Sequence, residues 1–127
     1  MGILTMGTVD HRRQLGQRGE QAAARYLVSQ GYQLLDRNWR CRLGEIDLVL
    51  TYEDQIIFVE VRTRAGFRYG SGAESVVRNK QLRLRQLALA YLREKRLSPE
   101  AKLRFDVVSI QLLDDGRYEI DHIQHAF

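Results

Sequence analysis

The chain has 127 residues, of which 44% are hydrophobic and 28% are charged. This length and composition are typical of one folded domain, and they exclude a disordered chain and a membrane span. The net charge is +4, with Arg far more frequent than Lys. Because Arg makes planar, bidentate contacts with phosphate, the charge favours nucleic acid as a partner, although proteins that bind no nucleic acid often carry as much.

The single cysteine, Cys41, excludes a disulfide or a cysteine-based zinc site within one chain, and this fits the reducing cytoplasm. The apolar residues near the N-terminus form too short a run for a signal peptide. We therefore expect a cytoplasmic protein with a flexible tail over residues 1–10 and a single domain over residues 11–127. The sequence leaves the oligomeric state open, with a homodimer as one possibility.

The first predicted helix covers residues 11–30, where apolar residues recur at helical spacing before Gly31. Glu20 lies on its packing face beside Gly16 and Gly19, whose small size would allow a close approach to a sheet. A carboxylate directed at a sheet needs a partner. Glu20 is therefore either a third metal-binding or water-positioning acid, or an acid at the helix edge that pairs with a nearby Arg.

A basic strand is predicted next, over residues 32–42, with a bulge at Asn38. A basic strand that contains one tryptophan can contact nucleic acid, here through Trp39, Arg40 and Arg42. The alternative is that Trp39 packs in the core, which is the more frequent place for such a residue.

A β-hairpin is predicted from two runs of β-branched and aliphatic residues, 44–50 and 56–64, separated by a polar break. A tight turn centred on residues 53–54 sets the register of the two strands. In that register Asp47 lies directly opposite Glu60.

Two facing carboxylates are the informative feature of this hairpin. Like charges across a strand pair destabilise it, so Asp47 and Glu60 indicate a cation between them. A hard ion such as Mg²⁺ is the natural candidate, because carboxylate oxygens hold it. Alternation places Arg62 on the same face as Glu60. The register also places Arg62 opposite Glu45, so Arg62 either positions a phosphate or hydroxide, or only pairs with Glu45.

The rest of the chain predicts a loop, a helix and two strands. Residues 64–73 are glycine-rich and leave directly from the hairpin. Residues 74–96 predict a helix with one apolar and one basic face, and charged faces of this kind are usually only solvated. Residues 103–112 and 118–123 predict the last two strands. In the first of these, Asp106 is expected to be structural and paired with an arginine.

The segments 37–48 and 58–62 resemble the YraN family of uncharacterised bacterial proteins, and the resemblance extends over roughly residues 12–124. Within them, an Asp-x(12)-Glu-x-basic pattern on a hairpin resembles the PD-(D/E)xK nuclease signature. The YraN family is grouped with the restriction-endonuclease-like fold and is similar to archaeal Holliday-junction resolvases. The predicted element order, α-β-β-β-α-β-β, fits an α/β fold in which a mixed sheet of about five strands is flanked by helices.

The resemblance implies a metal-dependent endonuclease that hydrolyses DNA phosphodiester bonds, including those of branched or flapped structures. Mg²⁺ or Mn²⁺ would be held by Asp47, Glu60 and the Val61 backbone carbonyl, with Glu20 bound directly or through water. The family signature has Lys where this chain has Arg62, and an arginine effectively cannot lose its proton to act as a base. The alternative is a binding module that keeps the nuclease fold without cleaving.

Nucleic acid is the expected partner, DNA more than RNA, and a membrane is not expected. The residues expected to contact nucleic acid are all basic and lie near the hairpin, in the loop or on the second helix: Arg40, Arg42, Arg64, Arg68, Arg78, Lys80 and Arg83.

Overall fold

The computed structural model of the protein describes residues 7–65 and 78–127, with side chains in the first helix from Arg13 onward. Arg68, the predicted helix start near Glu74 and most of the glycine-rich loop lie outside these residues. The elements are α1 (Gly7–Ser29), β1 (Gln33–Cys41), β2 (Gly44–Tyr52), β3 (Gln55–Ala65), α2 (Arg78–Glu94), β4 (Lys102–Leu112) and β5 (Tyr118–Ile123). Their order confirms the predicted α/β arrangement.

Helix α1 begins at Gly7, so residues 7–10 belong to a helix and not to the predicted N-terminal tail. No proline interrupts these residues. The helix ends at Ser29, and the chain turns as predicted at Gly31, whose φ of 100° favours a residue without a side chain. The N–H groups of Gly31 and Tyr32 donate to the last helical carbonyls and so cap them.

The five strands form one mixed sheet in the order β1-β2-β3-β4-β5. Neighbouring strands are antiparallel except β3 and β4, which are parallel and are joined through α2. Ile57 and Val59 of β3 pack in the core beneath α1, whereas the alternate residues Ile56 and Phe58 pack beneath α2. The two helices therefore cover opposite faces of the sheet.

The irregularity of β1 lies elsewhere than predicted. The pairing with β2 shifts between Leu34 and Asp36, so the bulge is not at Asn38. Asn38 instead has a φ of 52°, a left-handed conformation that Asn tolerates better than most residues. Regular pairs lie on either side of it, at Arg37 and Trp39.

The register of the β2–β3 hairpin is the predicted one. Tyr52 pairs with Gln55 around a two-residue turn, and Leu48 pairs with Val59. Regular pairing ends at Leu48 and Val59, although both strands continue. Asp47 therefore lies immediately beyond the last regular pair, where β2 remains bonded to β1 and β3 to β4.

Two predicted alternatives are settled by packing. Trp39 is only 8% exposed, and its indole N–H donates to Glu94 at 2.8 Å, so it is a core residue. Asp106 is buried and pairs with Arg104 at 2.8 Å, as expected of a structural acid. His122 also contacts Asp106, at 2.7 Å. Tyr26 of α1 packs edge-on against His122, so this buried network lies under α1.

Candidate active site

A cavity of about 590 Å³ lies where β2 and β3 cease to pair. Residues of both strands form one side of it, and the beginning of α2 forms the other. The lining residues are Gly44, Glu45, Asp47, Val59, Glu60, Val61, Asn79, Lys80, Arg83, Leu84 and Leu87. The two acids predicted to share an ion, Asp47 and Glu60, thus line one cavity.

Asp47 is held by the backbone of the neighbouring strand. The N–H of Val61 donates to Asp47 Oδ2 at 2.8 Å. Burial raises the pKa of the Asp47 carboxyl to about 7; the hydrogen bond from Val61 opposes this change, and the nearby charges of Glu20, Glu45 and Glu60 reinforce it. The Asp47 carboxyl therefore keeps its proton to a higher pH than an exposed aspartate does.

Glu60 has the opposite surroundings, because a cation contacts each of its oxygens. Lys80 Nζ lies 2.6 Å from Oε1, and Arg62 Nε lies 3.2 Å from Oε2. The Glu60 side chain is 11% exposed and that of Lys80 is 49% exposed, so water reaches this ion pair from the side of the lysine. The predicted position of Arg62 on the face of Glu60 agrees with this contact.

Glu45 pairs within the β1–β2 hairpin. Its Oε2 accepts a hydrogen bond from Arg40 Nε at 2.7 Å, and both side chains are exposed. Arg62, the residue predicted opposite Glu45, reaches Glu60. Arg62 is therefore not limited to the role of a partner for Glu45.

Glu20 lies beside the main cavity rather than in its wall. Burial raises the pKa of its carboxyl, against the effect of a hydrogen bond with the Asn38 side chain. Glu20 lines a second cavity of about 420 Å³ together with Arg13, Gly16, Gln17, Asn38, Arg40 and Glu45. Because Glu45 lines both cavities, the two are adjacent.

The predicted trio of acids is not gathered into one set of ligands. Within residues 7–65 and 78–127, no three His, Cys, Asp or Glu side chains are arranged to hold a metal ion together. Glu20 is hydrogen-bonded to the Asn38 side chain of β1, while its charge is still close enough to Asp47 to raise the pKa of that acid. A role for Glu20 through a bridging water stays a prediction.

Helix α1 approaches the sheet closely next to Glu20. A Cβ placed on Gly19 would lie 1.8 Å from Thr63 Oγ1 of β3, so only glycine fits there. The predicted contribution of small residues is thus confirmed at Gly19. It is absent at Gly16, where an added Cβ would meet nothing within 4 Å.

Most of the basic residues predicted to bind nucleic acid are exposed, namely Arg40, Arg42, Arg78, Lys80 and Arg83. Arg42 lies in the two-residue turn between β1 and β2. Arg83 is in the cavity wall, and Arg64 on β3 is half-buried. Lys80 and Arg83 place positive charge in the wall of the acidic cavity, and Arg40 does so in the wall of the second cavity, whereas Arg68 lies outside the described part of the chain.

Two contacts in this region were missed by the sequence analysis. Lys80 was expected to face nucleic acid but contacts Glu60, and Asn38 was expected only to form a bulge but bonds to Glu20. The pairing of β1 with β2 places Asn38 level with Asp47, and this position could have indicated that Asn38 lies near the acids. No comparable signal indicates which acid Lys80 would reach.

The fold and the cavity together define an α/β protein with a mixed five-stranded sheet and an acidic cleft between a hairpin and a helix. Residues 19–110 match the Uncharacterised protein family UPF0102, and the chain belongs to this family. The match includes Glu20, Asp47, Glu60 and Lys80, and it confirms the resemblance to the YraN family.

Several members of the family are similar over nearly their whole length. A UPF0102 protein of Rhodococcus opacus is 45% identical over 117 residues, covering 92% of this chain and 98% of the relative. One from Frankia casuarinae is 47% identical, covering 89% of this chain and 95% of the relative. One from Pelotomaculum thermopropionicum is 46% identical, with 93% and 98% covered. Their names state the family and no activity.

Neither α1 nor α2, over the residues described, is both long and apolar enough to cross a bilayer.

Proposed function

We propose that the protein is a metal-dependent endonuclease that hydrolyses phosphodiester bonds in DNA, with Mg²⁺ or Mn²⁺ as the cofactor. The observation that carries the proposal is the cavity in which Asp47 and Glu60, from adjacent strands, lie beside basic residues of α2. A carboxyl with a pKa near 7 in a cleft is typical of functional sites. Acids at this position would hinder simple phosphate binding, so the acids favour a catalytic role.

The donors in the cavity fit a hard divalent ion. Mg²⁺ is usually bound by one or two protein carboxylates and keeps several of its waters. Asp47 and Glu60 therefore suffice, with the Val61 carbonyl and a water-mediated contact to Glu20 as further ligands. A bound ion would acidify a water molecule and offset the charge that develops on the phosphate during hydrolysis.

The protein's own groups would orient the reactants. The Val61 N–H fixes Asp47 by a hydrogen bond of 2.8 Å, so the carboxylate needs little reorganisation to bind a cation. Arg62 stays protonated and can donate hydrogen bonds to a phosphate or a hydroxide, but it cannot serve as a base. Arg83, exposed in the cavity wall, would attract the phosphate backbone.

A second candidate function is a nucleic-acid-binding module that does not cleave. It is favoured by the contacts of Glu60, because the two cations beside it already neutralise its charge. It is also favoured by Arg62, which stands where the nuclease signature has lysine. In this candidate the exposed arginines bind the phosphate backbone, and the acids only help to position them.

The test is cleavage of linear, flapped and four-way DNA in Mn²⁺ or in EDTA. The isosteric variants Asp47→Asn and Glu60→Gln remove one ligand charge each. Matched controls are Asp121→Asn and Glu119→Gln, because both residues are exposed on β5 and neither lines the cavity. We expect Mn²⁺-dependent cleavage by the wild type and both controls, and its loss in Asp47→Asn and Glu60→Gln.

Other outcomes assign the function differently. Cleavage that persists in Asp47→Asn would indicate a contaminating nuclease and remove the support for an enzyme. No cleavage by any variant, together with salt-sensitive DNA binding, would favour the binding module. If the protein neither cleaves nor binds DNA or RNA, both candidates are excluded.

A further inference from the structure

Helix α2 places the positive charge of Lys80 against Glu60 in the cavity. Lys80 Nζ lies 2.6 Å from Glu60 Oε1, while 49% of the Lys80 side chain is exposed. Arg62 approaches the other oxygen, Oε2, from within β3. The ammonium group therefore occupies the open side of a carboxylate that the proposed function assigns to a divalent ion.

Stability alone is a weak explanation for this pair. Half-exposed ion pairs contribute little to folding, because water already solvates the separated charges and the long side chain loses freedom. Glu60 also has Arg62 as a partner within its own strand. The fold therefore does not depend on Lys80 to neutralise Glu60.

The ammonium and a divalent cation cannot both lie against Glu60 without strong repulsion. Two cations a few ångströms apart repel each other appreciably even at the effective dielectric constant of a protein surface. Binding of an ion at Glu60 must then weaken the contact with Lys80. The released side chain is long, flexible and at the mouth of the cavity, where a phosphate near the ion would attract it.

We propose that Lys80 is a positioning residue that exchanges partners: it neutralises Glu60 in the free protein and contacts the substrate phosphate when a divalent ion binds to Glu60. This inference rests on the proposed function, since it requires a divalent ion at Glu60. It assigns Lys80 a role that differs from that of the other exposed basic residues, whose phosphate contacts should not depend on the ion.

Arg83 provides the matched control. Like Lys80, it is exposed, lies on α2 and lines the cavity. It differs from Lys80 because the ion pairs of Glu60 are with Lys80 and Arg62. Lys80→Gln and Arg83→Gln each remove one positive charge from the cavity. Only the first removes the cation that contacts the proposed ligand.

The first measurement is the affinity of the free protein for Mn²⁺, by calorimetry or by the electron paramagnetic resonance signal of free Mn²⁺. We expect Lys80→Gln to bind Mn²⁺ roughly tenfold more tightly than the wild type, and Arg83→Gln to differ by less than about threefold. Lys80→Arg, which keeps the charge, should resemble the wild type. Circular dichroism establishes that each variant is folded.

The second measurement is the affinity for a DNA duplex in EDTA and in Ca²⁺, with the DNA shown to be intact afterwards. Lys80→Gln should lose little affinity in EDTA and about tenfold in Ca²⁺, because the phosphate contact forms only when the ion is bound. Arg83→Gln should lose the same factor under both conditions. This dependence on the ion is one that a purely structural lysine would not show.

The outcomes separate the two proposals. Wild-type protein that binds Mn²⁺ with the same affinity as Lys80→Gln would overturn the exchange and leave the endonuclease proposal standing. Equal losses of DNA affinity in EDTA and Ca²⁺ would make Lys80 an ordinary phosphate contact and would also overturn the exchange. Absence of Mn²⁺ binding in wild type and Lys80→Gln alike would overturn both proposals, whereas binding by Lys80→Gln alone would support the exchange.

Discussion

The backbone N–H of Val61 donates a hydrogen bond of 2.8 Å to the side chain of Asp47. In a regular antiparallel pair this donor would meet a backbone carbonyl of β2, but here a carboxylate oxygen takes that place just beyond the end of the ladder. The bond keeps β2 and β3 together where regular pairing has ceased. It also places a partly buried carboxylate at the point where the two strands part.

The raised pKa of Asp47 predicts that this acid destabilises the protein at neutral and alkaline pH. Between the ordinary pKa of 3.8 and the folded value of about 7, the carboxyl is ionised in the unfolded chain and protonated in the folded one. The free energy of unfolding therefore falls as the pH rises through this window and stays lowered above it. The two pKa values correspond to a penalty of at most about 4 kcal/mol.

Replacement of Asp47 by Asn should remove this penalty while keeping an acceptor for Val61. We expect Asp47→Asn to be more stable than the wild type in urea melts at about pH 8, and to differ less at about pH 4.5. Asp121→Asn, at an exposed position on β5, is the control and should show no such dependence. A stabilisation that is larger in acid than in alkali would contradict the assignment.

Divalent ions should stabilise the protein through the same carboxylate. Mn²⁺ at a hundred times its dissociation constant would stabilise the folded state by about 2.7 kcal/mol. The rise in Tm should be smaller at about pH 5.5 than at about pH 8, because the carboxyl of Asp47 must lose its proton before it can bind a cation. Thermal melts of the wild type and Asp47→Asn at both pH values test this. An equal rise in Tm in the variant would place the ion elsewhere.

The β2–β3 hairpin could be predicted from the sequence because local chemistry determines it. The period-2 pattern and the two-residue turn set the register, and the register alone placed Asp47 and Glu60 at the same level of the sheet. The end of regular pairing at Leu48 and Val59 was not predictable in this way. It depends on how each strand is held by its other neighbour.

The contacts that come from the helices were beyond the sequence patterns. Apolar spacing predicted one apolar face for α2, on which Leu87 and Tyr91 are buried, but it cannot specify which strand residue a surface side chain will meet. Lys80 was therefore assigned to the basic face in general, and its contact with Glu60 was missed. For α1, spacing alone indicated the packing face of Glu20, while its partner Asn38 depended on the geometry of β1.

Arg62→Lys tests whether the arginine limits activity. The arginine side chain is 20% exposed and its Nε lies 3.2 Å from Glu60 Oε2, and a lysine would keep the positive charge on this side of Glu60. We therefore expect the cleavage rate of Arg62→Lys to stay within about tenfold of the wild type, the size of one ordinary polar contact. A much larger increase in single-turnover cleavage would instead indicate a site that has lost activity through this substitution.

Binding to DNA should be electrostatic and largely independent of sequence. Each phosphate neutralised on a duplex contributes about −0.9 to the slope of log K against log salt. Arg42, exposed in the turn beside the cavity, should account for roughly one such contact, so Arg42→Gln should make the slope less negative by about that amount. Fluorescence anisotropy at several salt concentrations measures it.

A control for the slope is Arg117→Gln, because Arg117 is 76% exposed and paired with Asp115, outside the cavity wall. Its slope should equal that of the wild type. Equal changes in both variants would show a response to net charge alone, and a wild-type affinity that does not vary with salt would exclude phosphate contacts as the basis of binding.

The close approach of α1 to β3 predicts opposite effects for two alanine substitutions in the same helix. An added Cβ at Gly19 would lie 1.8 Å from Thr63 Oγ1, so Gly19→Ala must displace the helix or the strand and should cost about 1–3 kcal/mol. Gly16→Ala meets nothing within 4 Å and should instead stabilise the helix by roughly 0.5–1 kcal/mol. Urea melts give both values, and Thr63→Gly in the Gly19→Ala background should restore part of the loss by removing the obstructing side chain. If Gly19→Ala were as stable as Gly16→Ala, the helix could not lie this close to β3, and the position of the adjacent Glu20 beside the cavity would have to be abandoned.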